Sequence, residues 1–367
     1  MFEFKMINED GNARLGEIST NHGKIDTPTF MPVGTYGAVK TLSPALLEEL
    51  NVQIILSNTY HLMERPGIEI IQKHGGLHDF MSWDKPILTD SGGYQIFSLA
   101  KNRSISEEGV KFTSALNGDS LSLTPELCME LQLNFGIDIA MVLDECTPYP
   151  VKKQTAKNSM LLSMRWAQRC RDNFFSKGSG LFGIIQGGMY KDLRLESLEK
   201  LISIDFDGYA IGGLSVGEPK KEMNDIVNFI SPKMPKTKPR YLMGVGTPKD
   251  ILKAVERGID MFDCVIPTRH ARNGYLYTSS GVVKLRNSEN RFSLEPLDKK
   301  CKCYACKNFS RSYLFHLDKI GEPLGSTLNT IHNLSFYLRL MQSIRTAIKQ
   351  KDLKAFVEKC LDTWDNF

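Results

Sequence analysis

The chain has 367 residues, 41% of them hydrophobic and 24% charged, a length and balance that suit one large globular domain with an appendage, or two ordinary ones. No apolar run approaches the roughly 20 residues that span a bilayer, and the opening "MFEFKMINED" has neither a basic n-region nor an apolar h-region, so the expectation is a cytoplasmic protein without a membrane span. The formal charge is only +4, yet between Lys284 and Arg311 eight Lys and Arg face three Asp and Glu, an excess larger than that of the whole chain. That patch, and the acid-free stretch "SPKMPKTKPR", suit a phosphate backbone. Standing alone, a solvated face is the plainer reading.

In chain order, the first thirty residues read as short antiparallel strands: "MFEFKMI" alternates apolar and polar side chains, and "EDGN" supplies a turn. Short apolar runs then recur at "TFMPVGT", "VQIILSNTY", "KPILTDSGG", "IDIAMVLDE", "GLFGIIQGG", "GYAIGG", "RYLMGVG" and "DMFDCVIPTR". Segments of helical period lie between many of them. "PALLEELNV" and "PELCMELQLNFGI" begin with Pro just inside a Ser or Thr, a helix-start signature. Eight buried strands with helical crossovers predict an α/β fold, a (β/α)8 TIM barrel. An open doubly wound sheet is the alternative, but "MPVGTYGAVK" has neither GxGxxG spacing nor a Walker lysine. Composition changes after Asn273. The expected division is an N-terminal antiparallel sheet plus catalytic barrel over 1–273, and a C-terminal basic, zinc-binding subdomain with closing helices over 274–367. The end of the chain is helical, with Leu334, Leu338, Met341, Ile344 and Ile348 forming an apolar stripe.

Barrel chemistry sits at the carboxyl ends of the strands. There Asp90 ends one run and is followed by Ser91, Gly92 and Gly93; Asp144 ends a second, Gln186 a third, and Asp263 lies in the last. A single strand-end carboxylate is unremarkable, but three in one ring suit cleavage of a glycosidic bond, one attacking the anomeric carbon and another moving the proton. The glycines of "DSGG", "IIQGG" and "AIGGLSVG" let a flat ligand approach the backbone, Gln and Asp can read the edge of a planar base, and Tyr94 and Met243 offer stacking faces. A glycoside hydrolase would use paired carboxylates equally well, but leaves the basic segment and the scarcity of Trp unexplained. A non-catalytic RNA-binding protein accounts for the charge and leaves the carboxylates idle.

Cys301, Cys303 and Cys306 stand in CxCxxC spacing. Cytoplasmic thiols stay reduced, so a metal site is favoured over a disulfide, and three thiolates need a fourth ligand for a closed tetrahedral zinc. By spacing, His316, His332 and Cys360 all qualify. A closed Cys3His site leaves no open position, which makes the ion structural.

"TDSGGYQIFSL", "VLDECTPYP", "GIIQGG", "GYAIGGLSVGEP", "YLMGVGTP", "DMFDCVIPTRHARNG" and the "CKCYACKNFSRSYL...HN" block, spread over about residues 86–333, resemble the motifs of the tRNA-guanine transglycosylases, also called queuine tRNA-ribosyltransferases, in that family's order. The resemblance implies a pentosyltransferase barrel, of bacterial type, that exchanges guanine at the wobble position of GUN anticodons for a 7-deazaguanine base in queuosine biosynthesis. It implies Asp263 as the nucleophile that forms a covalent tRNA intermediate and Asp90 as the general acid/base. Asp144, Gln186, Gly213 and the backbone around Leu214 would read the base, which Tyr94 and Met243 sandwich. Cys146 and Val216 resemble the pattern for 7-aminomethyl-7-deazaguanine (preQ1). Gly244, Val245, Gly246, Thr247, Pro248, Lys249 and Asp250, with Thr268, Arg269, His270, Ala271 and Arg272, match RNA-contacting segments; His270 and Ala271 receive no catalytic role. The family ligand in "TIHN" selects His332 as the fourth zinc ligand, one structural ion per subunit, and the family's habit implies a homodimer.

Overall fold

The computed structural model describes residues 1–99, 101–114 and 117–365. At its centre run eight parallel strands, Thr29–Met31, Ile55–Asn58, Ile87–Asp90, Ile139–Met141, Gly180–Ile185, Gly208–Ile211, Arg240–Leu242 and Met261–Asp263, each paired with its neighbours in chain order. Each expected apolar run supplies one of them. Thr29–Met31 pairs with Met261–Asp263, and a bridge between Val33 and Leu56 closes the ring, with the Gly34 N–H 2.7 Å from the Leu56 carbonyl and the Leu56 N–H 3.0 Å from that of Pro32. Helices cover the outside while side chains fill the inside, so the strands are buried on both faces and read as continuous apolar runs. The crossover helices start where the sequence places them. Ser43 caps Pro44–Glu49 by accepting from the Leu46 N–H, and Thr124 caps Pro125–Phe135 by accepting from that of Leu127.

The amino ends of the barrel strands are closed by the antiparallel sheet Glu3–Asp10, Ala13–Thr20 and Gly23–Thr27. Two polar brackets, each centred on a buried aspartate, fasten it. The Arg14 guanidinium pairs with Asp260, the residue before the last barrel strand, and also donates to the carbonyls of Lys236 (2.9 Å) and Lys238 (2.8 Å). On the other side His22 and His78 stack with centroids 3.6 Å apart, and both face Asp138, which also accepts the Ile87 N–H at 3.0 Å. With the floor fixed, the carboxyl ends of the strands remain open.

The chain after Asn273 forms a hairpin, Tyr275–Thr278 with Gly281–Lys284, and then the helices Tyr304–Asn308, Arg311–Ile320, Pro323–Gln350 and Leu353–Asp365. The long helix leans on helix Ile266–Arg272, the hairpin and strand Thr29–Met31. Its Asn333 bonds the backbone of Tyr277, Pro267 and Tyr275. The closing helical stretch is divided rather than continuous: Lys351 at φ 58 ends the long helix, and Asp10 accepts the Leu353 N–H to begin the next. One element lies outside the expected series. A three-stranded antiparallel sheet, Lys101–Ile105, Val110–Thr113 and Ser120–Leu123, stands between the third barrel strand and helix Pro125–Phe135.

Arg14→Met leaves Asp260 buried without its ion-pair partner, bonded only by the Arg240 N–H, so it should cost about 3–5 kcal/mol. Urea unfolding checks this, and an unchanged midpoint would show that Asp260 does not depend on its partner.

Candidate active site

Asp90, Asp144 and Asp263 meet in a cavity of about 400 Å³ at the carboxyl ends of the strands, a size suited to a small planar ligand. Tyr94, Cys146, Gly213, Leu214, Val216, Met243 and Gly244 also line it. Ser91, Gly92 and Gly93 lie behind the wall rather than in it. Gly92 holds φ 98 and a side chain there would strike Tyr60, while one at Gly93 would meet the Asp144 carbonyl oxygen at 2.5 Å. Small residues here let the turn after Asp90 press against the strand end that carries Asp144. Gln186 also stands one layer back, its Nε2 donating to Asp144 Oδ2 at 2.6 Å.

The three carboxylates have different surroundings. Burial raises Asp90 to about 7, and the charges of Asp144 and Asp263 add to the shift, against the pull of the Ser91 N–H and the Gln95 side chain. Burial brings Asp144 to about 6 despite its bond from Gln186. Asp263 is also raised by burial, but two donors oppose the shift, the Tyr241 hydroxyl at 2.6 Å and the Gly244 N–H at 2.7 Å, both on Oδ1. Oδ2 has no partner among the described residues. The Cys146 thiol is pushed up to about 12 by burial and then by Asp144, so it is neutral and no nucleophile.

Sequence reading missed three residues that set these states. Asn58 ends the second barrel strand and donates to Asp90 Oδ2 at 3.2 Å; its signal was the polar residue closing "VQIILSNTY". Gln95 lies one turn into the helix after Asp90 and carried no signal. Tyr241 sits inside an apolar strand, where nothing in the sequence separates a core ring from one aimed at a carboxylate.

The expected RNA segments flank the cavity. Gly244 lines it, and Val245 is buried. Tyr337 donates to the Gly246 carbonyl at 2.6 Å. Thr247 caps the helix that starts at Pro248 and continues through Lys249, and Asp250 pairs with Lys220. Thr268 and Ala271 face inward on helix Ile266–Arg272; Arg269 is exposed, Arg272 is half-buried, and His270 stacks on Tyr277.

Cys301, Cys303, Cys306 and His332 bring their ligand atoms within 4.8 Å of one another. His332 Nδ1 lies 3.2 Å from Cys306 Sγ and 3.8 Å from Cys303 Sγ, while Nε2 lies 2.8 Å from the Tyr277 carbonyl. Nε2–H donates to that carbonyl, which fixes the tautomer and leaves the Nδ1 lone pair facing the thiols. Zinc–thiolate bonds of about 2.3 Å put tetrahedral ligand atoms about 3.7 Å apart, so the four residues can hold a metal ion. His316 is exposed on helix Arg311–Ile320, and neither it nor Cys360 joins the group.

The sequence model of the family described as "Queuine tRNA-ribosyltransferase" matches residues 9–366. A protein of that name from Francisella tularensis subsp. novicida is 59% identical over 361 residues, covering 98% of each chain. One from Francisella tularensis subsp. tularensis is 58% identical over 364 residues and 99% of each. A third, from Marinobacter nauticus, is 57% identical over 356 residues, covering 97% of this chain and 95% of its own.

Because the fold holds the Asp90 proton more tightly than the unfolded chain does, Asp90 costs stability as pH rises from about 4 to about 7. Asp90→Asn should therefore raise the urea midpoint at pH 8 and leave it nearly unchanged at pH 4; equal shifts at both would contradict the raised pKa. Metal analysis should find one bound metal ion per chain, lost in His332→Ala and kept in His316→Ala. The opposite pattern would reverse the ligand assignment.

Proposed function

The chain belongs to the queuine tRNA-ribosyltransferase family, and from that premise we propose how its residues exchange a guanine of tRNA for a 7-deazaguanine base. Asp263 Oδ2 attacks C1′ of the wobble nucleotide. The C1′–N9 bond breaks, Asp90 gives its proton to N9 of the departing guanine, and the ribose is held as an ester of Asp263. The incoming base then loses its N9 proton to Asp90, N9 bonds to C1′, and the ester bond breaks. Two inversions return the original configuration.

The observation that carries this reading is the contrast between the two aspartates. Asp90, pushed up to about 7, can hold a proton and lose it at neutral pH, as a general acid/base needs. At Asp263 two donors on one oxygen favour the anion against the upward push of burial, and they leave the other oxygen for attack. Asp144, held from behind by Gln186, would read the base edge with Gly213 and Leu214, between Tyr94 and Met243, the former 46% exposed at the cavity. An anticodon loop can splay a base into such a cavity, which a stacked helix cannot. Arg269 begins a basic edge beside Val265 on the cavity wall, placed for the phosphate backbone.

Cys146 and Val216 make preQ1 the incoming base of choice, because both take up space that a larger substituent would need. Zinc at the four C-terminal ligands would pin the basic segment 284–311 against the long helix Pro323–Gln350, away from the chemistry. A homodimer, one subunit docking tRNA for chemistry and its partner lending surface, completes the proposal.

Purified enzyme should place labelled guanine in tRNA that carries guanine at the wobble position, and preQ1 should compete better than preQ0 or queuine. No incorporation by a folded, zinc-loaded sample would overturn the reaction; equal competition by all three bases would overturn only the choice of preQ1.

A further inference from the structure

Arg194, on helix Lys191–Ile204, is wholly buried behind the cavity. It forms no ion pair with a carboxylate among the described residues. Instead its guanidinium donates to four backbone carbonyls: Ile185 at 2.7 Å, Gly188 at 2.9 Å, Gly212 at 2.7 Å and Gly213 at 3.3 Å. Burial lowers its pKa only to about 10, so it is a cation at neutral pH. Burying a charge against dipoles alone is expensive, and Gly212 and Gly213 are cavity-wall residues.

A trans peptide sets its carbonyl and the following N–H on opposite sides. With the Gly212 carbonyl turned to Arg194, the Gly213 N–H points the other way; the Gly213 carbonyl does the same for the Leu214 N–H. The rest of the loop is occupied: the Gly212 N–H reaches the Ile185 carbonyl at 3.2 Å, and Glu218 accepts the N–H groups of Ser215 at 2.5 Å and Val216 at 2.9 Å. The Gly213 and Leu214 N–H groups have no acceptor among the described residues. A cation on the carbonyl side of a peptide also polarises it and strengthens the N–H as a donor.

We infer that Arg194 is a positioning residue for base recognition: it aims the Gly213 and Leu214 N–H groups into the cavity, where they bind an exocyclic oxygen on the six-membered ring of the base. The inference rests on the guanine reading given above and extends it to a residue that never touches the substrate. A side chain at position 213 would strike Gln186, so the same turn also keeps the Gln186–Asp144 pair in place.

2-Aminopurine lacks the exocyclic oxygen of guanine and, with it, the proton on N1. Calorimetry should find that the wild-type protein binds guanine more tightly. In Arg194→Lys and Arg194→Gln, guanine should weaken about tenfold, the worth of one hydrogen bond, while 2-aminopurine changes less than twofold. Equal weakening of both ligands, no change in either, or failure of both variants to fold would assign Arg194 to the fold alone and overturn the inference. A wild-type protein without preference for guanine would contradict the guanine reading itself, before any variant is compared.

Discussion

Three carboxylates held in one desolvated cavity cannot all be ionised at neutral pH without cost, and the site is organised around that constraint. Closing eight parallel strands into a ring brings Asp90, Asp144 and Asp263 together from the ends of three strands. Burial then raises the pKa of all three, and the charges of Asp144 and Asp263 raise that of Asp90 further. What separates their roles is where the hydrogen-bond donors sit and which neighbouring charges each one feels. Asp263 has a phenol and an amide on one oxygen, and Asp144 has the Gln186 amide. Asp90 feels both neighbouring charges, and its proton is the most readily held at pH 7.

That arrangement demands strand ends that do not drift. The floor brackets supply this from below, since Arg14 grips Asp260 three residues before Asp263, and Asp138 ties His22 and His78 to the start of the strand that ends in Asp90. From the side, Tyr337 of the long C-terminal helix holds the Gly246 carbonyl, in the same loop whose Gly244 N–H bonds Asp263. The Cys3His group joins that helix to the hairpin that follows the barrel. The cysteines therefore act on the catalytic end through packing, at a distance from the chemistry.

The barrel was legible because strands buried on both faces leave short apolar runs ended by polar residues, and all eight runs became strands. The carboxylates were legible for the same reason, standing where "ILTD", "MVLD" and "MFD" stop. The sheet at 101–123 was not read, although "VKF" and "SLSL" alternate around an Asn117–Gly118 turn with Gly118 at φ 81; its strands carry mostly polar residues and lack the apolar rhythm that marked the others. The donors Tyr241 and Gln95, and the buried Arg194, were beyond sequence reasoning because their meaning depends on where a side chain points. Spacing left three candidates for the fourth metal ligand; the resemblance pointed to His332, and the fold groups it with the cysteines by bringing Pro323–Gln350 across them.

The central claim is that Asp263 carries the ribose while the bases change places. Mixing the enzyme with a wobble-guanine tRNA, quenching in denaturant, digesting with nuclease and protease, and sequencing the modified peptide by mass spectrometry tests it directly. The account predicts a nucleotide-derived mass on the peptide containing Asp263, at that residue. The same mass on the peptide of Asp90, or on none while exchange proceeds, would contradict it.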